Sequence, residues 1–521
     1  MIKRIFAVLL AMTMLLLCAC APSETPETTR GPSLDDGVGD RDYRSENHRY
    51  LTLWSWQIPD FNLAEQYAKK AVECGFTAVD LGVAWSAFEP LRGHFDWTWL
   101  DGVVKEFSEE GLGVSLMPLL WTKDLSWAED LAVQETAQGP WVVEERGSFV
   151  SFHDAQTLDT VKNTLQNFAL RVSGYGKVIT RWGVRLSCFG EFDYSVNEDL
   201  DYSPSAKREF LDYLKENYDS VTALKDVLPA AEWSDLEQKS CKELADACGG
   251  DWRRFRQESL LKVLDLTCSI LRSADGNIPI VFPLGTFGNG MKNGYSGILD
   301  LWQVCNGCDF DILSLSVSDG VDTGLLLSLA ASLTDKRISL EVDGAGVWEE
   351  GGAVAALEQV KKCVGYGIFS LSTANFTLDQ LTANKETLLQ YKTLLAAEIT
   401  PLAADETKGV LIFSHGVGEI TPPRTYDQLY GEVWNTLSEN GTKPVRFFTD
   451  GQIAAGKAGL SSVTDLYSGV MTGKVPVARG FCEVFLASSA NLQGNNITLV
   501  DLDGNPCSEE NAELPHRIKN P

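Results

Sequence analysis

The feature that most constrains this chain is an alternation. From Tyr50 onward, short apolar runs are separated by amphipathic stretches, eight times over. Short apolar runs read as strands and amphipathic stretches as helices. The strands expected are Tyr50–Trp56, Ala78–Val83, Gly113–Leu119, Arg181–Phe189, Ile278–Pro283, Phe310–Val317, Arg337–Val342 and Gly367–Leu371. Helices over Asn62–Cys74 and Leu100–Glu110 precede the second and third. Repetition of this kind builds a parallel sheet with crossover helices, and eight units close into a (β/α)8 TIM barrel of the α/β class, here over residues 50–400. At roughly 345 residues the region exceeds the ~250 of a plain barrel. Insertions are therefore expected after the third strand (Trp121–Ser151) and the fourth (Phe192–Trp252).

Residues 401–521 restart the pattern with Gly409–Ser414, an amphipathic stretch over Tyr426–Asn440 and Pro444–Phe448. This predicts a smaller C-terminal α/β domain with a packing or oligomerisation role. Its Gly416–Gly418 Gly-x-Gly lacks the rest of a dinucleotide fingerprint. At the other end, residues 1–20 read as a secretory signal: Lys3 and Arg4 precede an apolar run, Ile5–Leu17, of roughly 13 residues, short of the ~20 that span a bilayer. Leu17-Cys18-Ala19-Cys20 resembles a bacterial lipobox with Cys20 as the lipidated residue. The expectation is an exported protein, lipid-anchored to the membrane at the cell surface or in the periplasm. Residues 21–49, rich in Pro, Thr, Ser, Asp and Glu, read as a disordered tether.

Ten cysteines follow Cys20. Cys305 and Cys308 form a Cys-x-x-Cys with no second pair or His cluster beside it, which argues for a reduced pair or a local disulfide over zinc. Cys241 and Cys248 flank a helical stretch and are a second candidate pair. The balance of 44 Lys and Arg against 72 Asp and Glu, net −28, disfavours a nucleic-acid partner and polyanionic substrates. A neutral substrate fits best.

Barrel active sites lie at the C-terminal ends of the strands. The fourth run closes on Gly190-Glu191-Phe192-Asp193 and the seventh on Leu340-Glu341-Val342-Asp343. Strand alternation puts Glu191 with Asp193 on one face, and Glu341 with Asp343 on another. Strands four and seven face each other across the barrel mouth, so Glu191 and Glu341 are candidate catalytic carboxylates. That pairing suits glycoside hydrolysis, in which one carboxyl protonates the leaving oxygen and the other attacks the anomeric carbon. Asp193 and Asp343 are candidate supporting groups. Trp54, Trp56, Trp85, Trp121 and Trp348 fall at strand ends or loops, where indole faces stack on sugar rings. No Gly-x-Ser-x-Gly or His-Glu-x-x-His competes. No metal or organic cofactor is called for.

Trp85-Ser86-Ala87-Phe88-Glu89-Pro90-Leu91-Arg92-Gly93-His94-Phe95-Asp96-Trp97 is similar to the Trp-x-x-x-Glu-Pro-x-x-Gly-x-Phe-Asp-Phe/Trp signature of clan A glycoside hydrolases. It most resembles glycoside hydrolase family 42, the β-galactosidases. Ser205–Tyr218 resembles that family's helix after the acid/base strand, and Trp348 matches a subsite tryptophan that follows the nucleophile. The resemblance implies a retaining β-glycosidase with Glu191 as acid/base and Glu341 as nucleophile, Glu89 near the sugar, and a trimerisation-type domain beyond Pro401, hence a homo-oligomer. The departure is Gly190, where clan A usually carries an Asn that binds the sugar 2-hydroxyl. Either another side chain, such as Asn197 or Asn375, supplies that contact, or the chemistry is altered or absent. Two alternatives stay open: a catalytically silent glycan-binding lipoprotein on the same barrel, and a clan A hydrolase of another β-glycan.

Overall fold

A computed structural model describes residues 30–34, 43–44, 47–144, 146–186, 194, 198–285, 297–317 and 323–343, most of 360–396, and short pieces between 409 and 500. Eight parallel strands close into a barrel: β1 (Arg49–Trp54), β2 (Ala78–Ala84), β3 (Gly113–Leu119), β4 (Ile179–Gly183), β5 (Ile280–Gly285), β6 (Ile312–Val317), β7 (Arg337–Asp343) and β8 (Ser370–Ala374). Neighbours pair in chain order, and β8 returns to β1 with Leu51 opposite Thr373. This is the TIM barrel expected from the eight runs. Five of those runs were placed with an end off by two residues or more. The fourth expected strand ran to Phe189, whereas β4 ends at Gly183, and its neighbour Arg185 meets Leu119 as a single bridge.

Helices form where capping residues permit. Asp60 accepts the Leu63 N–H and starts α1 (Phe61–Glu73), Trp97 precedes α2 (Thr98–Glu109), and Asp154 accepts the Thr157 N–H and starts α3 (Ala155–Ser173). Ser203 caps α4 (Pro204–Asn217), whose first residue is a proline that has no N–H to leave unpaired. The long helix α5 (Gly249–Ala274) runs down the barrel's outside. The main core is the apolar layer between strands and helices, from Leu51, Val79 and Val114 on the sheet to Ala68, Val103 and Phe168 on the helices.

Both insertions are present. Residues 121–151 fold over the β3 end as two short antiparallel hairpins, Glu135–Thr136 with Gly139–Pro140 and Val142–Val143 with Gly147–Ser148. The segment after β4 carries α4 and builds its own core from Phe210, Leu214, Leu244, Trp252 and Phe255. Beyond the barrel, Gly409–Ile412 pairs in parallel with Arg446–Thr449, the pairing that a second α/β unit requires.

Two expectations need correction. The tether does not extend to residue 49: Gly31 donates to the Arg171 carbonyl, Tyr43 is buried with its hydroxyl on the Gly111 carbonyl, and Arg44 binds Asp275 and the Ile179 carbonyl. A backbone this well bonded is part of the fold. Nor do Cys241 and Cys248 bond. Both are buried thiols in no disulfide, as are Cys305 and Cys308, and burial pushes the thiols of Cys305 and Cys308 up to about 12.

Candidate active site

Inside the barrel, alternate residues of each strand point to the axis and stack in layers. The middle layer is polar. Arg181 of β4, fully buried, donates to Asp80 of β2 (2.9 Å), Ser115 of β3 (3.3 Å), Ser339 of β7 (3.0 Å) and Ser372 of β8 (3.0 Å). Its guanidinium lies 3.8 Å from the ring centroid of Tyr50 on β1. Five strands other than its own thus converge on one cation.

The layer above this, toward the C-terminal ends, is the candidate site. Glu341 lies two residues past Ser339 and so points to the same interior. Four residues past Arg181, Arg185 returns to the interior face, held by its own N–H on the Pro118 carbonyl and its carbonyl on the Leu120 N–H. The two side chains meet as an ion pair, Nη2 to Oε2 at 3.0 Å, with 4% and 12% of their surface exposed. Arg185 Nε also donates to the Met117 sulfur at 3.1 Å, and its guanidinium stands 5.4 Å from the Trp54 ring.

Trp54 can turn into the barrel because Gly82 lies opposite it on β2. A Cβ there would collide with the indole. Just past β1, a single 3-10 turn, Ser55–Gln57, is pinned by the Ala84 N–H on Ser55 Oγ and the Trp54 N–H on Gln57 Oε1. The turn presents Trp56 53% exposed, stacked on Trp54 at 5.3 Å with planes 1° apart and 5.9 Å from Trp121. Trp121 continues the wall into the hairpin insertion, edge-on to Phe149, with Arg146 5.0 Å from its ring. Trp141 packs on Phe149. The result is a buried carboxylate–guanidinium pair at the foot of an aromatic wall that reaches solvent.

The structure therefore brings together Glu341, Trp54, Trp56 and Trp121. It does not bring Trp85 and Glu89 to them. Trp85 is fully buried and Glu89 1% exposed, and the Glu89 carboxylate is filled by internal donors: Trp85 Nε1 (2.7 Å), Thr164 Oγ1 (2.6 Å) and the Gly93 N–H (2.8 Å). Its backbone carbonyl accepts from Trp127 Nε1. The Trp-x-x-x-Glu-Pro signature here is a structural lock between the β2 loop and α3. Glu191, Asp193, Trp348, Asn375, Asn197 and Cys20 lie outside the described residues, as does the Asp343 side chain. Sequence reasoning missed Arg185, Trp141 and Arg146 as site residues; for Arg185, its even spacing from Arg181 on a strand was the available signal. Among the described residues no cluster of His, Cys, Asp or Glu is arranged to hold a metal ion.

Comparison with known proteins bears on the barrel that carries this site. Residues 55–311 match the glycoside hydrolase family 42 beta-galactosidase family. Beta-galactosidase BbgII of Bifidobacterium bifidum is 21% identical over 247 residues, covering 44% of this chain and 33% of that protein. The chain thus spans about a third of the length of this curated relative. Among solved structures, the cold-adapted beta-galactosidase of Rahnella sp. R3 superposes with a TM-score of 0.61 at 14% identity, covering 87% of this chain and 71% of that one. The catalytic domain of a Paenibacillus polymyxa beta-amylase superposes with a TM-score of 0.53 at 16% identity, covering 67% of this chain and 99% of that one. Such identities speak to the fold.

Proposed function

Because the barrel is that of a clan A glycoside hydrolase of the family 42 type, we propose that the protein hydrolyses a β-linked glycoside, β-galactoside-like, by a retaining mechanism. The observation that carries this reading is Glu341: a carboxylate aimed into the barrel at the C-terminal end of β7, beside indoles that can stack on sugar. A Glu341 oxygen attacks the anomeric carbon while Glu191 gives its proton to the leaving oxygen and the glycosidic bond breaks. Water then attacks the same carbon, returns a proton to Glu191, and releases Glu341. The Trp54–Trp56–Trp121 wall orients the ring, and the net charge of −28 favours a neutral glycan.

The test is a panel of aryl β-glycosides (galactoside, glucoside, mannoside, xyloside, arabinoside) with the anomer of the first product read by NMR. Release of one sugar with the β-anomer formed first supports the reading. A first-formed α-anomer contradicts retention, and saturable sugar binding without turnover points to a glycan-binding protein.

We further propose that the protein is exported and held to a membrane by a lipid on Cys20, and that residues 401–521 support a homo-oligomer. The signal-like run Ile5–Leu17 and the lipobox-like Leu17–Cys20 support the first part. Incorporation of a tagged fatty acid that Cys20→Ala abolishes tests the anchor, and light scattering tests the oligomer.

A further inference from the structure

We propose that Arg185 is a catalytic residue that donates a hydrogen bond to the sugar hydroxyl on the carbon next to the one Glu341 attacks. The inference rests on the reading of Glu341 as the nucleophile and adds to it a contact between enzyme and sugar. Its first support is place. Arg185 Nη2 sits 3.0 Å from Glu341 Oε2. When a Glu341 oxygen bonds to the anomeric carbon, the 2-hydroxyl is carried on the adjacent ring carbon, beside any donor that holds that carboxylate.

The second support is chemistry. One guanidinium N–H is spent on the Met117 thioether at 3.1 Å, and a thioether is a weak acceptor. A hydroxyl oxygen that takes an N–H from this cation exchanges a poor bond for a charge-assisted one. The third is preorganisation: backbone bonds to Pro118 and Leu120 hold the Arg185 main chain, and Glu341, Met117 and the Trp54 face position the guanidinium before substrate arrives. The fourth is energetic. A buried ion pair returns little stability over apolar side chains of similar size, so this pair is better explained by what it does to a ligand. Hydrogen bonds to the 2-hydroxyl strengthen in the transition state of glycoside hydrolysis, and Gly190, before the proposed acid/base, has no side chain with which to make one.

The experiment is a cycle between substrate and enzyme. kcat/KM is measured for an aryl β-galactoside, or the best panel sugar, and for its 2-deoxy counterpart, with wild type, Arg185→Met and Arg185→Lys. The intrinsic reactivity of the deoxy sugar cancels in the ratio of ratios. The expected result is that the parent-to-deoxy ratio falls about 10- to 100-fold in Arg185→Met, the range of one hydrogen bond to a charged group, and less in Arg185→Lys. An unchanged ratio in both variants overturns the proposal, while loss of turnover in Glu341→Gln separately upholds the nucleophile. Affinities of the free sugar and 2-deoxy sugar for the same proteins, by calorimetry, read the contact without turnover: a wild-type preference for the hydroxyl that disappears in the variants supports it. An equal preference in all three proteins overturns it. Should Arg185→Met fail to fold, Arg185→Lys and Arg185→Gln carry the same comparison.

Discussion

Two glutamates of this barrel show how burial alone fails to mark a site. Glu89 and Glu341 are both largely shielded from solvent, but Glu89 is saturated by Trp85, Thr164 and Gly93, whereas Glu341 faces one arginine beneath an open aromatic wall. Glu89→Ala should therefore act on stability, leaving an indole N–H, a hydroxyl and a backbone N–H without their acceptor. Each unsatisfied buried donor costs about 1–3 kcal/mol, so a loss of at least ~2 kcal/mol in urea unfolding is expected, with KM of the folded protein unchanged. A raised KM at full stability would return Glu89 to the sugar site. The sequence showed Glu341 through its place at the end of a run. It did not separate Glu89 from a ligand contact, because Thr164 comes from α3, distant in the chain, and spacing alone does not show that Trp85 and Gly93 turn their N–H groups onto the carboxylate.

At the scale of elements, the strands were legible because six of the eight begin or end on aliphatic residues, and several errors fall where polar residues enter. β4 starts at Ile179 although the apparent run starts at Arg181, since Arg181 is a strand residue satisfied inside the barrel. β8 extends to Ala374 through Ser372 and Thr373, both buried and facing opposite sides of the sheet. Helix starts follow their caps. Asp154 accepts the Thr157 N–H, and that bond holds its carboxyl below the usual range. A carboxyl depressed on folding adds stability that is present above its unfolded value of about 3.9 and is lost as pH falls through the lower folded value. Asp154→Ala should cost about 1 kcal/mol at neutral pH, and the gap to wild type should narrow as pH falls below the unfolded value and through the lower folded one. Denaturant titrations across pH check this, and a gap independent of pH would contradict the cap. In the short helix α6 (Leu301–Gly307) and its end, Cys305 and Cys308 are buried thiols, pushed up to about 12 by desolvation. A thiol-reactive dye at pH 7 should label them only as the protein unfolds.

For the molecule as a whole, the barrel is closed by apolar packing outside the sheet and by one polar layer within it. Arg181 ties β4 to β2, β3, β7 and β8 and rests on Tyr50 of β1. Removing one partner of a buried ion pair costs about 3–5 kcal/mol, so Arg181→Met and Asp80→Ala should each destabilise by that order, and together by less than the sum. Additive losses would show the pair to be incidental. The same interior, one layer higher, holds the candidate site, and the sequence could not reveal this because layer membership depends on barrel register. Within that site we propose Glu341 as the nucleophile. The most direct measurement is mass spectrometry of the protein after incubation with an activated 2-deoxy-2-fluoro-β-glycoside of the sugar it hydrolyses, which slows release of a glycosyl-enzyme. One added sugar is expected on the peptide that contains Glu341, absent in Glu341→Gln; nucleophilic Glu341 requires it. A label on another carboxylate, or steady hydrolysis with no adduct and an inverted product, would contradict it.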